Sequence, residues 1–327
     1  MKAIVYYSYG SPDVLHLKEV EKPVPKDDEV LIKVRAASVN PLEWHFMRGK
    51  PYFMRLMGIG LLKPKSNILG VDIAGQVESV GKNVKQFQPC DEVFGGSNFG
   101  GGYADYACVS EDRLALKPAN ITFEEAAAIP IAAITALQGL RDKGKIQSGQ
   151  KVLINGAGGG VGTFAVQIAK SFGAEVTGVC STEKLEMVLS LGADRVIDYT
   201  QEDFTENGQR YDLILDNVGN RSIFDLKRAL NQKGNCVIIG FSPAIMFQTL
   251  FLGLLISMTG RKKIGLMSAK ITDKDLAVLK ELFEAGKVKC IIDRRYPLSE
   301  VAEAIRYLEE GHARGKVIIT VEHDSKT

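Results

Sequence analysis

At 327 residues the chain has room for two domains of ordinary size, and 45% hydrophobic residues suffice for real cores. Forty-one Lys and Arg against 39 Asp and Glu leave a net charge of +2, which argues against a nucleic-acid or acidic-membrane partner recruited by overall charge. Five cysteines (Cys90, Cys108, Cys180, Cys236, Cys290), odd in number and far apart, suit free thiols. The first residues turn polar too early for a secretory signal, so a cytoplasmic protein is expected.

Up to about residue 120 the pattern is all-β. Residues 1–7, 30–37, 73–80, 92–94 and 103–109 alternate or run apolar between Gly, Pro, Asn and Asp, which predicts a partly closed barrel. Residues 41–48 (PLEWHFMR) read as a helix, and residues 51–64 (PYFMRLMGIGLLKP) as an apolar loop or helix. Near Thr122 the period changes from two to about 3.6. Thr122, with Glu125 three residues on, forms a capping box, and residues 132–147 continue as helix.

Residues 151–180 (KVLINGAGGGVGTFAVQIAKSFGAEVTGVC) read as strand, glycine turn, helix, strand. Val161, Ala165, Ile168, Ala169 and Phe172 fall on one helical face, and Gly173 stands where a C-terminal cap is expected. Strands follow at 195–198 and 211–216, a helix at 223–230 and a strand at 235–240. That alternation argues a parallel, doubly wound sheet. From 234 to 260 no residue carries a charge, and residues 244–258 are strongly apolar. Gln248, Thr249, Gly253 and the preceding Pro243 favour a buried helix at a substrate site or subunit interface over a membrane span. Residues 272–285 form an amphipathic helix capped by Thr272 and ended by Gly286, and residues 287–321 give strand, helix, strand. There is no internal repeat.

The glycines carry chemistry. A pyrophosphate at a helix N-terminus is held by backbone N–H groups and the helix dipole, and any side chain on the turn would hold it away. The fingerprint needs a glycine for the turn, one for phosphate approach and one for helix–strand packing. Here Ala157 takes the first place, Gly159 the approach and Gly162 the packing, while Gly156, Gly158, Gly160 and Val161 complete the turn. A carboxylate at the end of the second strand selects NAD. That end reads Val179-Cys180-Ser181-Thr182, with Lys184 close behind and Tyr199 ending the next strand. A hydroxyl plus a cation suits a 2′-phosphate, so NADPH is expected; Glu183, turned inward, is the competing candidate.

Several segments together resemble the medium-chain dehydrogenase/reductase superfamily, in its zinc-free quinone oxidoreductase (zeta-crystallin-like) branch: MKAIVYYSYGSPDVLHL, VRAASVNPLEWHFMRG, ILGVDIAGQVESVGKNV, AAAIPIAAITALQGL, GAGGGVGTFAVQIAK, SLGADRVIDY and HARGKVIIT. The resemblance spans essentially the whole chain. It implies an α/β protein with a GroES-like β-barrel domain at 1–120, completed by 271–327, and a Rossmann NADPH-binding domain at 121–270. The active site is then expected in the cleft between them. Zinc-dependent relatives place a Cys after the third strand and a His-Glu pair after a glycine near position 70. This chain has Ala36-Ala37-Ser38 and Gly70-Val71-Asp72 there, and it lacks the four-cysteine lobe, so no metal is expected.

By the same resemblance Asn40 lies near the nicotinamide and ribose and Tyr52 is a cleft phenol able to donate to a carbonyl; these two are the expected catalytic residues. Thr135, Asn217, Val218, Gly240, Phe241 and Lys316 join the glycine turn as expected cofactor contacts. The implied activity is hydride transfer from NADPH to the C=C of an α,β-unsaturated carbonyl or to a quinone. A cofactor-binding protein with little turnover is one alternative. An alcohol dehydrogenase is another, disfavoured by the missing zinc ligands. The apolar residues 54–62 and 244–258 suggest a greasy rim, hence a lipophilic small-molecule substrate or peripheral membrane contact. The family also implies a homodimer, formed by edge-to-edge pairing of strands near residues 262–266.

Overall fold

The structure, a computed structural model, describes residues 1–97, 100–240, 243–249, 253 and 260–323. The chain divides into two compact units, one of residues 1–131, 271–285 and 292–327, the other of residues 132–270 and 286–291.

In the first unit β1 (Lys2–Val5) and β2 (His16–Glu19) form an antiparallel ribbon. β3 (Glu29–Val39) is long and mostly buried. α1 (Pro41–Arg48) follows at once. Its first residue is proline, where no N–H is needed, and Gly49 closes it in the left-handed region at φ 57°. β4 (Asp72–Val80), β5 (Glu92–Gly96), β6 (Tyr106–Ser110) and β7 (Leu114–Leu116) continue the sheet. α2 (Phe123–Ala128) carries the capping box: the Thr122 hydroxyl accepts the Glu125 N–H at 3.2 Å, and Glu125 accepts the Thr122 N–H at 2.8 Å.

α3 (Pro130–Gln138) leads into the second unit and stops short of the expected residue 147. A π turn over Gly139–Lys143 replaces the rest. Gly139 and Gly144 lie so close to Leu215 and Leu213 that a Cβ on either would sit 2.8 Å from those side chains, and Lys145 has φ 56°. Two glycines and a left-handed lysine cannot prolong an α-helix cheaply.

Then come β8 (Lys151–Asn155), α4 (Gly160–Ser171), β9 (Glu175–Cys180), α5 (Leu185–Ser190), β10 (Arg195–Asp198), β11 (Tyr211–Asp216), α6 (Ile223–Ala229), β12 (Leu230–Ile238), α7 (Pro243–Gln248) and β13 (Lys263–Leu266). The six strands are parallel, in the order β10-β9-β8-β11-β12-β13. Chain order reverses between β8 and β11, the switch point at which doubly wound sheets bind ligands. Leu153, Val179, Ile214, Leu226 and Ile238 build this unit's core.

The chain returns to the first unit with α8 (Asp273–Glu284), capped by the Thr272 hydroxyl, which accepts the Asp275 N–H at 3.2 Å. β14 (Ile292–Pro297), α9 (Val301–Glu309) and β15 (Lys316–Thr320) follow. The seven-stranded sheet runs β14-β15-β3-β4-β5-β7, with β6 also on β3. Ile32, Val34, Val77, Val93 and Leu114 fill its core against Val301, Ala304 and Ile305 of α9. Among the described residues no helix is long and apolar enough to cross a membrane.

Candidate active site

The first unit gathers charge at one end of its sheet, and strand register explains why. β3 pairs with β4 so that Ser38 faces Asp72, and with β15 so that Val39 faces Val317. The end of β3, the start of β4 and the start of β15 therefore bring Ser38, Asn40, Asp72 and Lys316 together. All four are buried, Lys316 to 3% exposure and Asp72 completely. Lys316 is thus shielded from solvent. Its Nζ donates to Asn40 Oδ1 at 2.6 Å and lies 3.6 Å from Asp72 Oδ2. That carboxylate oxygen also accepts from the Ser38 hydroxyl (2.7 Å) and the Asn40 amide (2.9 Å), while Oδ1 accepts the Ile131 N–H (2.9 Å).

Asn40 is the N-cap of α1, and its side chain reaches out of the helix as well: Oδ1 accepts from Lys316, while the amide donates to Asp72 and, at 3.4 Å, to Glu43 Oε1. Glu43 completes the capping box. Glu43, in the first turn of α1, accepts the backbone N–H of Asn40 (2.8 Å) and of Val71 (3.1 Å). Glu43 is completely buried. Burial, and then the charge of Asp72, push its carboxyl up to about 7; the hydrogen bond from Val71 and the Lys316 cation partly oppose this. Tyr103, whose hydroxyl donates to the Ser38 carbonyl at 3.3 Å, is raised well above an ordinary phenol by burial and by the Glu43 and Asp72 charges. Glu43 and Asp72 were not singled out from sequence. The signal was present as a capping glutamate three residues after Asn40 and an acid at the site of a missing metal ligand.

Tyr52 stands apart from this network. Its ring is 66% exposed and lies beside Arg55 (5.0 Å) and Lys50 (5.9 Å). His45 contacts the Lys50 carbonyl through Nδ1 at 3.0 Å, and burial lowers its affinity for a proton.

In the second unit the glycine turn joins β8 to α4. Gly156 has φ 77°, a conformation that a side chain resists. A Cβ on Gly162 would sit 2.1 Å from the Gly156 carbonyl oxygen, so this glycine lets the helix pack on the turn. Gly159 is different: a Cβ there would meet only that same oxygen, at 3.5 Å, and its φ is −92°. The chain's own packing does not require glycine at 159, whereas close approach of a phosphate does. Gly160, Val161 and Gly162 open α4, and first-turn N–H groups have no partner within their own helix. Lys184 lies over this turn, since a Cβ on Gly158 would come within 2.6 Å of its Cδ.

Ser181 follows β9 directly and Tyr199, 55% exposed, follows β10. The structure adds a carboxylate that the end of β9 lacks. Asp198 pairs in register with Cys180, and its side chain accepts from Thr182 Oγ1 (2.5 Å) and Thr200 Oγ1 (2.7 Å). These hydroxyls, Thr182 first, hold its carboxyl below the usual range. The sequence signal was an acid ending the next strand, one residue before Tyr199.

The remaining expected contacts cluster beyond β11. Asp216 Oδ1 accepts from the Asn155 amide (2.8 Å) and from the N–H groups of Val218 (3.1 Å) and Gly219 (3.0 Å). The Asn217 amide donates to the Asn155 carbonyl at 3.0 Å, and Gly240 packs on the Asn217 carbonyl with no room for a Cβ. Asp216 Oδ2 and Asn217 Oδ1 are left buried without a hydrogen-bond donor. Unmatched buried acceptors are costly, and sugar hydroxyls or a carboxamide N–H would satisfy them. Cradle, helix start and orphaned acceptors thus fit a dinucleotide. Thr135 is buried on α3, Val218 is 45% exposed, and Phe241 lies outside the described residues.

Zinc does not fit the first unit's cluster. Val71 offers only an apolar side chain, the Ser38 hydroxyl is committed to Asp72, and Asp72 is already matched by the Lys316 ammonium. Among the described residues no three His, Cys, Asp or Glu side chains are gathered as metal ligands would be.

Comparison with known proteins agrees with this geometry. Residues 26–119 match the family "Alcohol dehydrogenase GroES-like domain", and residues 191–319 match "Zinc-binding dehydrogenase". The 2-methylene-furan-3-one reductase of Solanum lycopersicum is 37% identical over 98% of this chain and 79% of its own length. The chloroplastic NADPH-dependent alkenal/one oxidoreductase of Arabidopsis thaliana shares the same identity and coverage. The quinone oxidoreductase structure from Coxiella burnetii superposes with a TM-score of 0.87 at 30% identity, covering 98% of this chain and 99% of that one. The chain belongs to the medium-chain dehydrogenase/reductase superfamily, among the NAD(P)H-dependent quinone and enone oxidoreductases of the zeta-crystallin-like branch.

Proposed function

We propose that the protein uses NADPH to reduce the C=C of a lipophilic α,β-unsaturated carbonyl, or a quinone, without zinc. The observation that carries this is the buried Ser38–Asp72–Asn40–Lys316 network, which offers an ammonium and an amide in place of a metal donor set. Two relatives named above are a 2-methylene-furan-3-one reductase and an alkenal/one oxidoreductase, and the activities in their names support the substrate class.

When bound, NADPH supplies the hydride. The chain's residues do the rest. Gly156, Gly158, Gly159, Gly160, Val161 and Gly162 admit and hold the pyrophosphate, while Ser181, Lys184 and Tyr199 take the 2′-phosphate. Asn40, Thr135, Asn217, Val218, Gly240, Phe241 and Lys316 are the further cofactor contacts. As hydride adds to the β-carbon, charge builds on the carbonyl oxygen and is lowered in energy by fixed donors. Tyr52, with its exposed phenol, is assigned that role, and Asn40 orients the reacting ring. Cofactor binding is assigned to residues 121–270 and catalysis to 1–120 with 271–327. Among the described residues the five cysteines form no disulfide, which supports a reducing setting such as the cytoplasm.

A second possibility, that NADH serves as well, is favoured by Asp198, a carboxylate fixed by Thr182 and Thr200 beside Ser181. Steady-state kinetics with both cofactors decide. Wild type is expected to prefer NADPH, and Lys184→Ala to lose roughly tenfold in kcat/KM for NADPH with little change for NADH. A wild-type preference for NADH would overturn the assignment.

A further inference from the structure

The net charge of +2 conceals a strong local excess. From Trp44 to Val71 the chain has five basic residues (Arg48, Lys50, Arg55, Lys63, Lys65) and no Asp or Glu, which leaves the remainder with a net −3. The same segment carries the most exposed leucines among the described residues. Leu62 is 89% exposed, Leu56 77% and Leu61 61%. Single exposed leucines are ordinary, but three within seven residues form a patch.

These leucines are presented by a built turn. A π turn spans Arg55–Ile59, and the chain then reverses through Gly58 and Gly60, at φ 113° and 112°. Ile59 is buried in the core, and Pro64 is buried too. The Tyr9 hydroxyl contacts the carbonyls of Ile59 (3.0 Å) and Gly60 (2.5 Å), and the Lys65 N–H closes on Ile59 O at 2.8 Å. With Ile59 and Pro64 anchored inward, Leu56, Leu61 and Leu62 are held out in water.

Cations flank them along the chain. Arg48 is matched by Glu309, and Arg55 donates to the Gly49 carbonyl over the Tyr9 ring. Lys50, Lys63 and Lys65 are exposed, with no ion-pair partner among the described residues. Exposed leucines on a loop whose exposed lysines have no acidic partner among the described residues fit one surface chemistry: a bilayer whose headgroups are negative and whose interior accepts leucine. A protein partner would be expected to meet such a patch with a groove, and nothing here commits to one.

We propose that the loop of residues 50–65 docks this protein on anionic lipid bilayers. The proposal does not depend on the cofactor or the substrate, because lipid binding needs no turnover. The test is co-sedimentation of the full chain with vesicles of phosphatidylcholine alone and of phosphatidylcholine with phosphatidylglycerol, at low and high salt. Binding is expected only to the anionic vesicles and to weaken with salt. The double variants Leu61→Asp/Leu62→Asp and Lys63→Glu/Lys65→Glu should each reduce it roughly tenfold, while Val24→Asp, another exposed position, should not. Circular dichroism checks that each variant is folded. Absence of vesicle binding, binding that survives both double variants, or leucines that instead govern self-association or capture of another protein would overturn it.

Discussion

Glu43 and Lys316 are both ionisable and both enclosed in the first unit. An ordinary glutamate titrates near 4.5, and folding raises Glu43 to about 7. The folded state therefore binds this proton more tightly than the unfolded chain. Its stabilising effect is complete below about 4.5, fades as pH rises toward 7 and is lost above that. Glu43→Gln, which cannot ionise, should flatten that decline by on the order of 2–3 kcal/mol, as read from urea unfolding at a series of pH values. An unchanged slope would mean that Glu43 does not hold the proton. Lys316→Met leaves the Asp72 carboxylate buried beside no cation, and should cost about 3–5 kcal/mol of stability. The double variant Lys316→Met/Asp72→Asn should recover part of that, and strictly additive losses would refute the coupling. Asn40 was singled out by the family resemblance of the segment around it, not by spacing or period. The burial of Lys316 was not legible in sequence, since its partner Asn40 lies 276 positions away and only the pairing of β15 with β3 joins them.

Elements with a clear period were readable, and those without one were not. β3, β4, α1 and the β8–α4–β9 unit followed apolar spacing and caps closely. β2 was missed because all four of its residues are exposed and carry no alternation. α3 was overextended because spacing does not reveal how tightly Gly139 and Gly144 must approach β11. The apolar run at 244–258 lies largely outside the described residues; within its described part, Ile245 is buried and the Thr249 hydroxyl bonds back to the Ile245 carbonyl at 2.6 Å. At the sheet's end, β13 pairs with β12 alone among the described strands, so its other edge offers backbone groups to a second copy. We propose that two copies join there. Light scattering on the eluted protein should give twice the chain mass of 35.7 kDa; a monomer mass at working concentration would contradict it.

Across the whole molecule, the proposed reaction assigns different halves of the chemistry to the two units. The parallel sheet offers a phosphate cradle with unmatched acceptors at its switch point, and the mixed sheet offers a buried ammonium and amide fixed by two carboxylates. Such a division was legible early, because a glycine turn after a strand announces a dinucleotide whatever the substrate. The substrate itself was not, because its recognition depends on side chains brought together from distant segments. The most direct measurement is the rate of NADPH oxidation by purified protein with 2-alkenones of increasing chain length, in the presence of a chelator. The account predicts turnover to the saturated ketone, kcat/KM rising with chain length and no loss to the chelator. Absence of NADPH oxidation with every enone and quinone, or an activity confined to alcohols and abolished by the chelator, would contradict it.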